Sequence, residues 1–315
     1  MKKIFLVLLL VLVFSSFCFA AEQRLIIGTG GLAGTYYPLG SAIASIITDF
    51  VEGASCDAQT SAAGVENARL LKLGDIDFGL VQTSAAYQAV HGEKVFKGDQ
   101  IKDLRGLAIL YAQPMQIVVA EESDIYTFED LVGKRVGIGA PASGEEVTFK
   151  EVIGVAGHTI EDYAPHYISL AEQASAFKDR NIDMMWIVGG LPISAILDVA
   201  SVRDVRFIPI DGALKEAVIK EYPYHAPGLI PAGTYPGQDE DVETLASPAY
   251  LVTTNRLSED LVYNILSAMF DHLDVLQRAH AQGKNVTLEG ALLGSSIPLH
   301  PGAEKYYKEK GILKD

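Results

Sequence analysis

Short apolar runs alternate with helical patterns along the N-terminal part of the chain. "RLIIG" is typical of a buried strand, and the apolar spacing of "YYPLGSAIASIITDF" predicts a helix after it. Strands are next predicted at "CDAQTS" and "DIDFGLVQ", with a helix at "GVENARLLKLG" between them that ends at Gly74. Strands that alternate with helices in this way indicate an α/β fold with parallel strands.

The later part of the chain repeats this alternation and adds one long helix. Strands are predicted at "QPMQIVVAEES", "HYISL", "IDMMWIVGG" and "ASPAYLVTTN", and helices at "GEEVTFKEVIGVAG" and "AEQASAFKDR". The segment "SEDLVYNILSAMFDHLDVLQRAHAQG" predicts a single helix that Ser258 caps. Its apolar residues recur at helical spacing: Leu261, Ile265, Met269, Phe270, Leu273 and Leu276.

Two pairs of segments resemble each other at nearly the same spacing. "RLIIGTGGLAG" from Arg24 matches "RVGIGAPASGE" from Arg135, and "KLGDIDFGLVQTSAA" from Lys72 matches "KDRNIDMMWIVGGLP" from Lys178. Each matched segment contains an apolar strand with a loop after it. We therefore predict two lobes of similar architecture, the second inserted into the first: lobe 1 at residues 21–115 and 250–315, and lobe 2 at residues 116–249.

Residues 1–20 have the composition of a secretory signal peptide. Two lysines precede an apolar run, and small residues lead to a cleavage position after Ala20. The run is shorter than the about 20 residues that a membrane-spanning helix needs. Lipidation at Cys18 is disfavoured by the bulky Phe17 before it. These features predict export and a periplasmic location.

The composition narrows the range of partners. The formal net charge of −15 disfavours nucleic acid, because binding it requires a basic patch. After cleavage at Ala20 one cysteine remains, Cys56, so the mature chain has no intrachain disulfide. None of the histidines stands in a metal-binding motif. We expect a monomer that uses no metal and no cofactor.

A glycine-rich loop, "GTGGLAGTYYPLG" at residues 28–40, separates the first predicted strand from the first helix. Gly28, Gly30 and Ala33 match the G-x-G-x-x-G/A pattern of dinucleotide-binding proteins. This match is degenerate, and a nicotinamide cofactor does not fit an exported protein. A phosphate-binding P-loop is excluded because no Gly-Lys-Ser/Thr follows, and the chain has no G-x-S-x-G nucleophile motif.

Three loops rich in glycine and hydroxyl residues precede predicted helices, at residues 29–36, 60–64 and 141–146. The backbone N–H groups at a helix N-terminus attract anions, and glycines let a ligand approach those groups closely. Ligands of open α/β sheets bind beyond the carboxyl ends of the strands, where these loops lie. Two facing lobes would therefore form a cleft with anion sites on both walls.

The mature chain resembles the TAXI family in four segments: "IIGTGGLAGTYYPLGSAIASII", "QTSAAGVENARLLKLGDIDFGLVQ", "FEDLVGKRVGIGAPASGEE" and "IDMMWIVGGLP". TAXI proteins are the extracytoplasmic solute receptors of tripartite ATP-independent periplasmic (TRAP) transporters. The resemblance implies a type II periplasmic-binding-protein fold, whose two lobes close on a ligand like a Venus flytrap. It also implies that the protein is not an enzyme. It would capture a small organic anion (a C4–C5 dicarboxylate, a 2-oxoacid such as 2-oxoglutarate, or glutamate) and deliver it to the TRAP membrane permease subunits.

The pocket residues implied by this resemblance come from both lobes. Lobe 1 contributes Thr29, Gly30, Gly31, Tyr36, Tyr37, Ser61, Gly64, Gln82 and Thr83, and lobe 2 contributes Ser143, Gly144, Glu145, Trp186, Gly190 and Pro192. Glu145 departs from the family pattern, in which a small hydroxyl residue usually follows Ser-Gly. Two interpretations are open: Glu145 meets an ammonium group of the ligand, or it serves the N-terminus of its helix. Trp186 is equally open to a place in the pocket lining or in the core.

Two other functional classes stay open at this point. An exported enzyme acting on a small carboxylate would use the same cleft, with Glu145, His225 and Cys56 as the candidate catalytic residues. A surface-exposed interaction protein would keep the cleft without a ligand.

Overall fold

The computed structural model describes residues 23–314 of the chain. The predicted signal peptide, including Cys18, lies outside these residues. Within the described part, no helix combines the length and the apolar character that crossing a membrane requires.

Lobe 1 is built on a five-stranded sheet. Its strands are β1 (Gln23–Gly28), β2 (Ala54–Gln59), β3 (Phe78–Gln82), β4 (Leu104–Tyr111) and β12 (Ala249–Thr254). They lie in the order β2-β1-β3-β12-β4, and β12 runs antiparallel to both of its neighbours. The helices of this lobe are α1 (Tyr36–Phe50), α2 (Gly64–Leu73), α3 (Thr83–His91), α8 (Glu259–Asp271), α9 (Leu273–Ala279) and α10 (Pro301–Glu309), with 3₁₀ turns at Lys94–Phe96 and Ala281–Asn285.

Lobe 2 is built on a second five-stranded sheet. Its strands are β5 (Met115–Ala120), β6 (Arg135–Gly137), β7 (Ala164–His166), β8 (Met184–Val188) and β9 (Val205–Ile208), in the order β7-β6-β8-β5-β9. Its helices are α4 (Gly144–Val155), α5 (Leu170–Lys178), α6 (Ser194–Ala200) and α7 (Gly212–Glu221), with 3₁₀ turns at Glu129–Leu131 and Ile160–Asp162. A two-stranded sheet of β10 (Ala226–Ile230) and β11 (Val242–Ala246) completes this half.

The two large sheets share one strand order and one local hydrogen-bond pattern. Asp77 accepts a hydrogen bond from Ile26 N at 2.8 Å, and Asp183 accepts one from Arg135 N at 2.9 Å. The two aspartates are therefore equivalent, as the match between Lys72 and Lys178 predicts. The other match is wrong by two residues, because Arg135 corresponds to Ile26 and not to Arg24. Side chains alternate with a period of two along a strand, so a shift of two residues preserves the apolar pattern and escapes notice in the sequence.

The long helix predicted after Ser258 is broken at His272. The backbone of His272 leaves the helical region (φ −124, ψ 39), which ends α8 and begins α9. The imidazole stacks on the ring of Phe50 at the end of α1, with 3.6 Å between the ring centroids. The prediction of one continuous helix is wrong, because the apolar spacing continues across the break and does not reveal it.

The chain passes twice between the lobes, in connections that lie side by side. Residues 112–114 lead from β4 to β5, and residues 247–248 lead from β11 back to β12. Ser247 N donates to Gln113 O at 3.0 Å, and Pro114 forms a β-bridge with Ala246. This paired crossing is the place where a relative motion of the lobes would be centred. The exact division at residues 115/116 and 249/250 stays a prediction.

Each lobe encloses its own apolar core. In lobe 1 the helices α1, α8 and α10 share a core with the sheet, where Ile27 and Leu80 are fully buried. In lobe 2 the helix α4 places Phe149 against Trp186, with ring centroids 5.3 Å apart in an edge-to-face arrangement. The lobes also share apolar contacts at their boundary, where Val147 of α4 joins a cluster of lobe 1 residues that includes Val65 and Ala85.

Candidate ligand-binding cleft

A cavity of about 390 Å³ lies between the two lobes. It is lined by the loops that follow β1, β2 and β3 in lobe 1 and by the loops that follow β6, β7 and β8 in lobe 2. The lining residues are Gly30, Gly31, Leu32, Ala33, Gly34, Thr35, Tyr36, Ser61, Ala62, Ala63, Gln82, Gln113, Ala140, Ser143, Gly144, Glu145, Ser169, Leu170, Ala171, Val188, Gly189 and Ile193. The cavity thus lies at the carboxyl ends of parallel strands, where open α/β sheets bind ligands.

The glycine-rich loop and the start of α1 form one wall of the cavity. Gly34 N donates to Gly31 O at 3.1 Å, which closes the loop into a tight turn. Tyr36 is buried, and its hydroxyl donates to Gln113 Oε1 at 3.0 Å. Because Gln113 lies in the crossing between the lobes, this bond connects α1 of lobe 1 to that crossing.

The loop after β2 forms the next part of the wall. Ser61 Oγ donates to Thr29 O at 3.0 Å and accepts from Ala63 N at 2.9 Å, so one hydroxyl holds two loops together. Ala63, which precedes α2, has a positive φ of 63 with ψ of −147. Such a backbone is costly for a residue with a side chain, and strain of this kind gathers at functional sites.

The N-termini of α2 and α4 meet across the cleft around the side chain of Gln82. A Cβ placed on Gly64 would lie 2.4 Å from Gln82 Oε1 and 3.3 Å from Gly144 N, and a Cβ on Gly144 would lie 2.0 Å from Gln82 Oε1. A side chain at either position would displace the amide of Gln82. The two lobes are therefore in direct contact here, with Gln82 packed between two helix starts.

Further contacts hold the lobes together at the edge of the cleft. Thr35 Oγ1 donates to Gly190 O at 3.0 Å, and Gln282 Nε2 donates to Leu191 O at 2.6 Å. Both bonds join lobe 1 to the loop that follows β8. That loop also lines the cavity through Gly189 and Ile193, so closure and the shape of the cavity are coupled.

Glu145 is the only residue with a formally charged side chain among the described residues that line the cavity. Its carboxylate accepts long hydrogen bonds, from Val188 N at 3.5 Å and from Gln173 Nε2 at 3.3 Å. The side chain keeps some accessible surface, and this surface faces the cavity although the residue lies deep in the protein. Burial raises the pKa of Glu145 to about 8, since the two weak bonds do not offset the loss of water.

A second buried glutamate on α4, Glu151, has a different environment. Its carboxylate accepts from Gln88 Nε2 at 2.6 Å and from the hydroxyl of Tyr224 at 2.5 Å, and it pairs with His225 Nε2 at 2.7 Å. Gln88 belongs to α3 of lobe 1, so this network crosses between the lobes. Glu151 is not among the residues that line the cavity.

Eight of the residues implied by the family resemblance line the cavity: Gly30, Gly31, Tyr36, Ser61, Gln82, Ser143, Gly144 and Glu145. The others lie beside or behind the lining: Thr29, Tyr37, Gly64, Thr83, Trp186, Gly190 and Pro192. Trp186 is fully buried in the core of lobe 2, where its Nε1 donates to Thr148 Oγ1 at 3.1 Å. The tryptophan therefore packs as a core residue.

Thr29 and Thr83 are fully buried behind the lining and bond to the backbone. The hydroxyl of Thr29 donates to Gln59 O at 2.8 Å, and that of Thr83 donates to Tyr224 O at 3.1 Å. Gly64 and Gly190 permit the close contacts between the lobes described above. These residues position the lining instead of forming it.

Sequence reasoning missed several lining residues. Gln113 is a polar residue that lies between two apolar strands and directly before Pro114. This unusual position in the sequence could have marked it as a candidate lining residue. Ser169 and Leu170 give no such signal, because the pattern of "HYISL" predicts a strand through both residues. In the structure β7 ends at His166, and Ser169 caps α5. That prediction is wrong, since the Ser169 side chain and Glu172 form a capping box.

The candidate catalytic residues of an enzyme do not come together. Cys56 lies on β2 and is buried, and its pKa is raised to about 12, mainly by burial, which makes the thiol unreactive. His225 is bonded to Glu151 outside the lining, so Glu145 alone of the three faces the cavity. Within residues 23–314, no group of three or more His, Cys, Asp and Glu side chains is arranged to hold a metal ion.

Solved structures of solute-binding proteins share this architecture. The alkanesulfonate-binding protein SsuA from Xanthomonas axonopodis pv. citri, bound to MOPS, has a TM-score of 0.52 at 15% sequence identity, covering 94% of this chain and 96% of that one. A putative L-cystine ABC transporter protein from Listeria monocytogenes has a TM-score of 0.53 at 15% identity, covering 84% of this chain and 98% of the other. The protein therefore has the two-lobed α/β fold of periplasmic binding proteins, and the predicted fold class is confirmed.

The sequence defines the family more closely than these structures do. The model of the NMT1-like family matches residues 27–311. The chain belongs to the NMT1-like family. Its place among the TAXI receptors is a finer assignment and stays a prediction.

Proposed function

We propose that this protein is an extracytoplasmic solute receptor of the TAXI type, which captures a small organic molecule with a carboxylate and delivers it to the permease subunits of a TRAP transporter. It acts as an exported, periplasmic monomer without a cofactor. The observation that carries this proposal is the cavity at the carboxyl ends of the strands of two lobes that two crossing segments join. The comparable folds of an alkanesulfonate-binding and a putative cystine-transport protein support it.

The carboxylate of the ligand would lie at the helix N-termini that face the cavity. Thr35 and Tyr36 mark the start of α1, and Ser143 and Gly144 mark the start of α4. Free N–H groups and a helix dipole equivalent to roughly half a positive charge favour an anion at each of these points. The apolar side chains of Leu32, Leu170 and other lining residues would cover the carbon chain of the ligand.

Isothermal titration calorimetry with a defined panel tests this function. The panel contains L-glutamate, 2-oxoglutarate, succinate, malate, and neutral amino acids with their 2-oxo acids. At least one member should bind with a stoichiometry of one, and it should raise the melting temperature of the protein by mass action. Absence of heat and of thermal stabilisation with every member of the panel would contradict the proposal.

A further inference from the structure

Glu145 differs from the rest of the cavity in charge. The other lining residues of the described chain are neutral, and Tyr36 is the only other titratable group among them, with its hydroxyl bonded to Gln113. No lysine, arginine or histidine lines the described cavity wall. A dicarboxylate bound here would face an acidic side chain without a cationic side chain to balance it.

The N-terminus of α4 does not need Glu145. Ser143 Oγ accepts from Glu146 N at 3.2 Å and caps the helix. The next acidic residue, Glu146, accepts from Ala142 N at 2.8 Å and pairs with Lys150 at 2.6 Å, so it supplies the negative charge of the first turn. Of the two interpretations that the sequence leaves open for Glu145, service to its own helix is therefore the weaker one.

The surroundings of Glu145 leave its carboxylate short of donors. Gln173 of α5 and the backbone of Val188 at the end of β8 approach only to 3.3 and 3.5 Å, and Gly139 after β6 has no side chain to offer. An ionised carboxylate accepts short bonds from several donors when it is satisfied within the protein. Further donors for the ionised form can reach it from the cavity, which its accessible surface faces.

Gln82 also has an acceptor without a donor, but this atom is enclosed by the protein. Its side chain is 3% exposed and lines the cavity, and its Oε1 has no hydrogen-bond partner among residues 23–314. A buried amide oxygen without a donor is costly, and such atoms are rare in folded proteins. This oxygen has almost no accessible surface, because it is packed between Gly64 and Gly144, so the acceptor open to the cavity is the carboxylate of Glu145. A ligand group that carries several N–H donors and a positive charge matches that carboxylate.

We propose that Glu145 binds the ammonium group of a zwitterionic amino acid, so that this receptor selects amino acids over the corresponding 2-oxo acids and dicarboxylates. This inference rests on the proposed receptor function and names the class of ligand for that site. The carboxylate of the amino acid lies at the helix N-termini, and its ammonium group donates to Glu145.

The proposal predicts that Glu145 releases a proton when the amino acid binds. The raised pKa of Glu145, about 8 in the free protein, means that the carboxyl is mostly protonated at pH 7. An ammonium group stabilises the ionised form and lowers this pKa, so binding of an amino acid releases up to one proton at pH 7. A ligand held by a protonated Glu145 as donor, as a dicarboxylate would be, releases none.

Matched ligand pairs test the proposal by calorimetry at pH 7 in buffers of different ionisation enthalpy. The pairs are L-glutamate with 2-oxoglutarate, L-leucine with 4-methyl-2-oxopentanoate, and L-alanine with pyruvate. We expect the amino acid of at least one pair to bind about tenfold or more tightly than its 2-oxo acid, as a charge-assisted hydrogen bond allows. Its binding heat should vary with the buffer in the direction of proton release.

Variants separate a role in recognition from a role in folding. Glu145→Gln keeps the shape of the side chain and should abolish both the preference within the pair and the proton release. Glu161→Gln, at an exposed glutamate of the same lobe, should change neither. Thermal unfolding of both variants verifies that they fold.

The outcomes distinguish this inference from the receptor function. Tighter binding of the 2-oxo acids, binding without proton release, or an unchanged preference in Glu145→Gln would overturn the role of Glu145 while leaving a receptor for carboxylates. Failure of all six ligands and of the dicarboxylates to bind would overturn the receptor function itself.

Discussion

The two ends of α4 carry two glutamates with opposite environments. Glu151 has three partners at 2.5–2.7 Å, supplied by both lobes. Glu145 has two partners at 3.3 Å or more and faces the cavity. A carboxylate that the protein satisfies completely stabilises the structure, whereas one that it leaves short of donors is placed for something that enters from outside. The Glu151 end of α4 therefore contributes to the contact between the lobes, and the Glu145 end contributes to recognition of the ligand.

Removal of the carboxylate of Glu151 should have the largest effect on stability. Glu151→Ala leaves Gln88, Tyr224 and His225 without their acceptor in a buried place. We expect the free energy of unfolding to fall by about 3–5 kcal/mol, because a buried polar group that loses its partner costs about 1–3 kcal/mol and three such groups are affected. Urea denaturation at constant m value measures this loss.

The matched control is Glu161→Ala, at an exposed position in the same lobe, which should change the free energy of unfolding by less than about 0.5 kcal/mol. A loss in Glu151→Ala as small as this would show that the network around Glu151 does not hold the lobes together.

Glu145 should make the protein less stable as the pH rises. The carboxyl ionises near pH 4.5 in the unfolded chain and near 8 in the folded protein. Between these values the folded state holds a proton that the unfolded state has lost, so raising the pH favours unfolding. Relative to Glu145→Gln, the wild-type protein should lose on the order of 2–4 kcal/mol from pH 4.5 to 8, less than the full shift because cavity water screens the charge.

Parallel stability curves of wild type and Glu145→Gln across this pH range would contradict the environment assigned to Glu145. A saturating amino acid ligand should also remove most of the difference, because the bound ammonium group stabilises the ionised carboxylate. The same ligand should leave the effect of Glu151→Ala in place.

Substitutions of two glycines in α4 test the same comparison, with smaller expected effects. Gly154 is exposed near the Glu151 end and has open space around it, so Gly154→Ala should stabilise the helix by about 0.5–1 kcal/mol. Gly144→Ala places a methyl group against the amide of Gln82 and should weaken ligand binding by hindering closure.

Small-angle scattering with and without ligand distinguishes the two glycine variants. Gly154→Ala should contract on ligand binding as the wild type does, and Gly144→Ala should contract less. Equal contraction and equal affinity in both variants would show that the contact of α2 with α4 around Gln82 is not needed for closure.

The sequence predicted much of this architecture because the relevant forces are local. The apolar spacing of "YYPLGSAIASIITDF" predicts a helix over Tyr36–Phe50, and the structure has that helix with these bounds. The helix break at His272 leaves no trace in the apolar spacing, which continues across it. The start of α5 was obscured because the apolar and polar residues of "HYISL" fit a strand as well as a capped helix.

The candidate site was predictable as a set of loops but not as a set of contacts. The glycine loop and "PASGEE" point to the cavity because helix N-termini and glycines leave a signature in the sequence. The roles of Gln82 and Gln113 depend on the way in which the lobes meet, and no local pattern encodes this. Glu145 was recognisable as an unusual residue, yet its shortage of donors became visible only in three dimensions.

A pH titration of the glutamate side-chain carboxyl carbons by NMR tests the central comparison most directly. Glu145→Gln identifies the signal of Glu145, which should titrate near pH 8 in the free protein and at a lower pH in the complex with an amino acid. Titration of this signal near the ordinary value of 4.5 in the free protein, or a midpoint that the bound amino acid does not lower, would contradict the account.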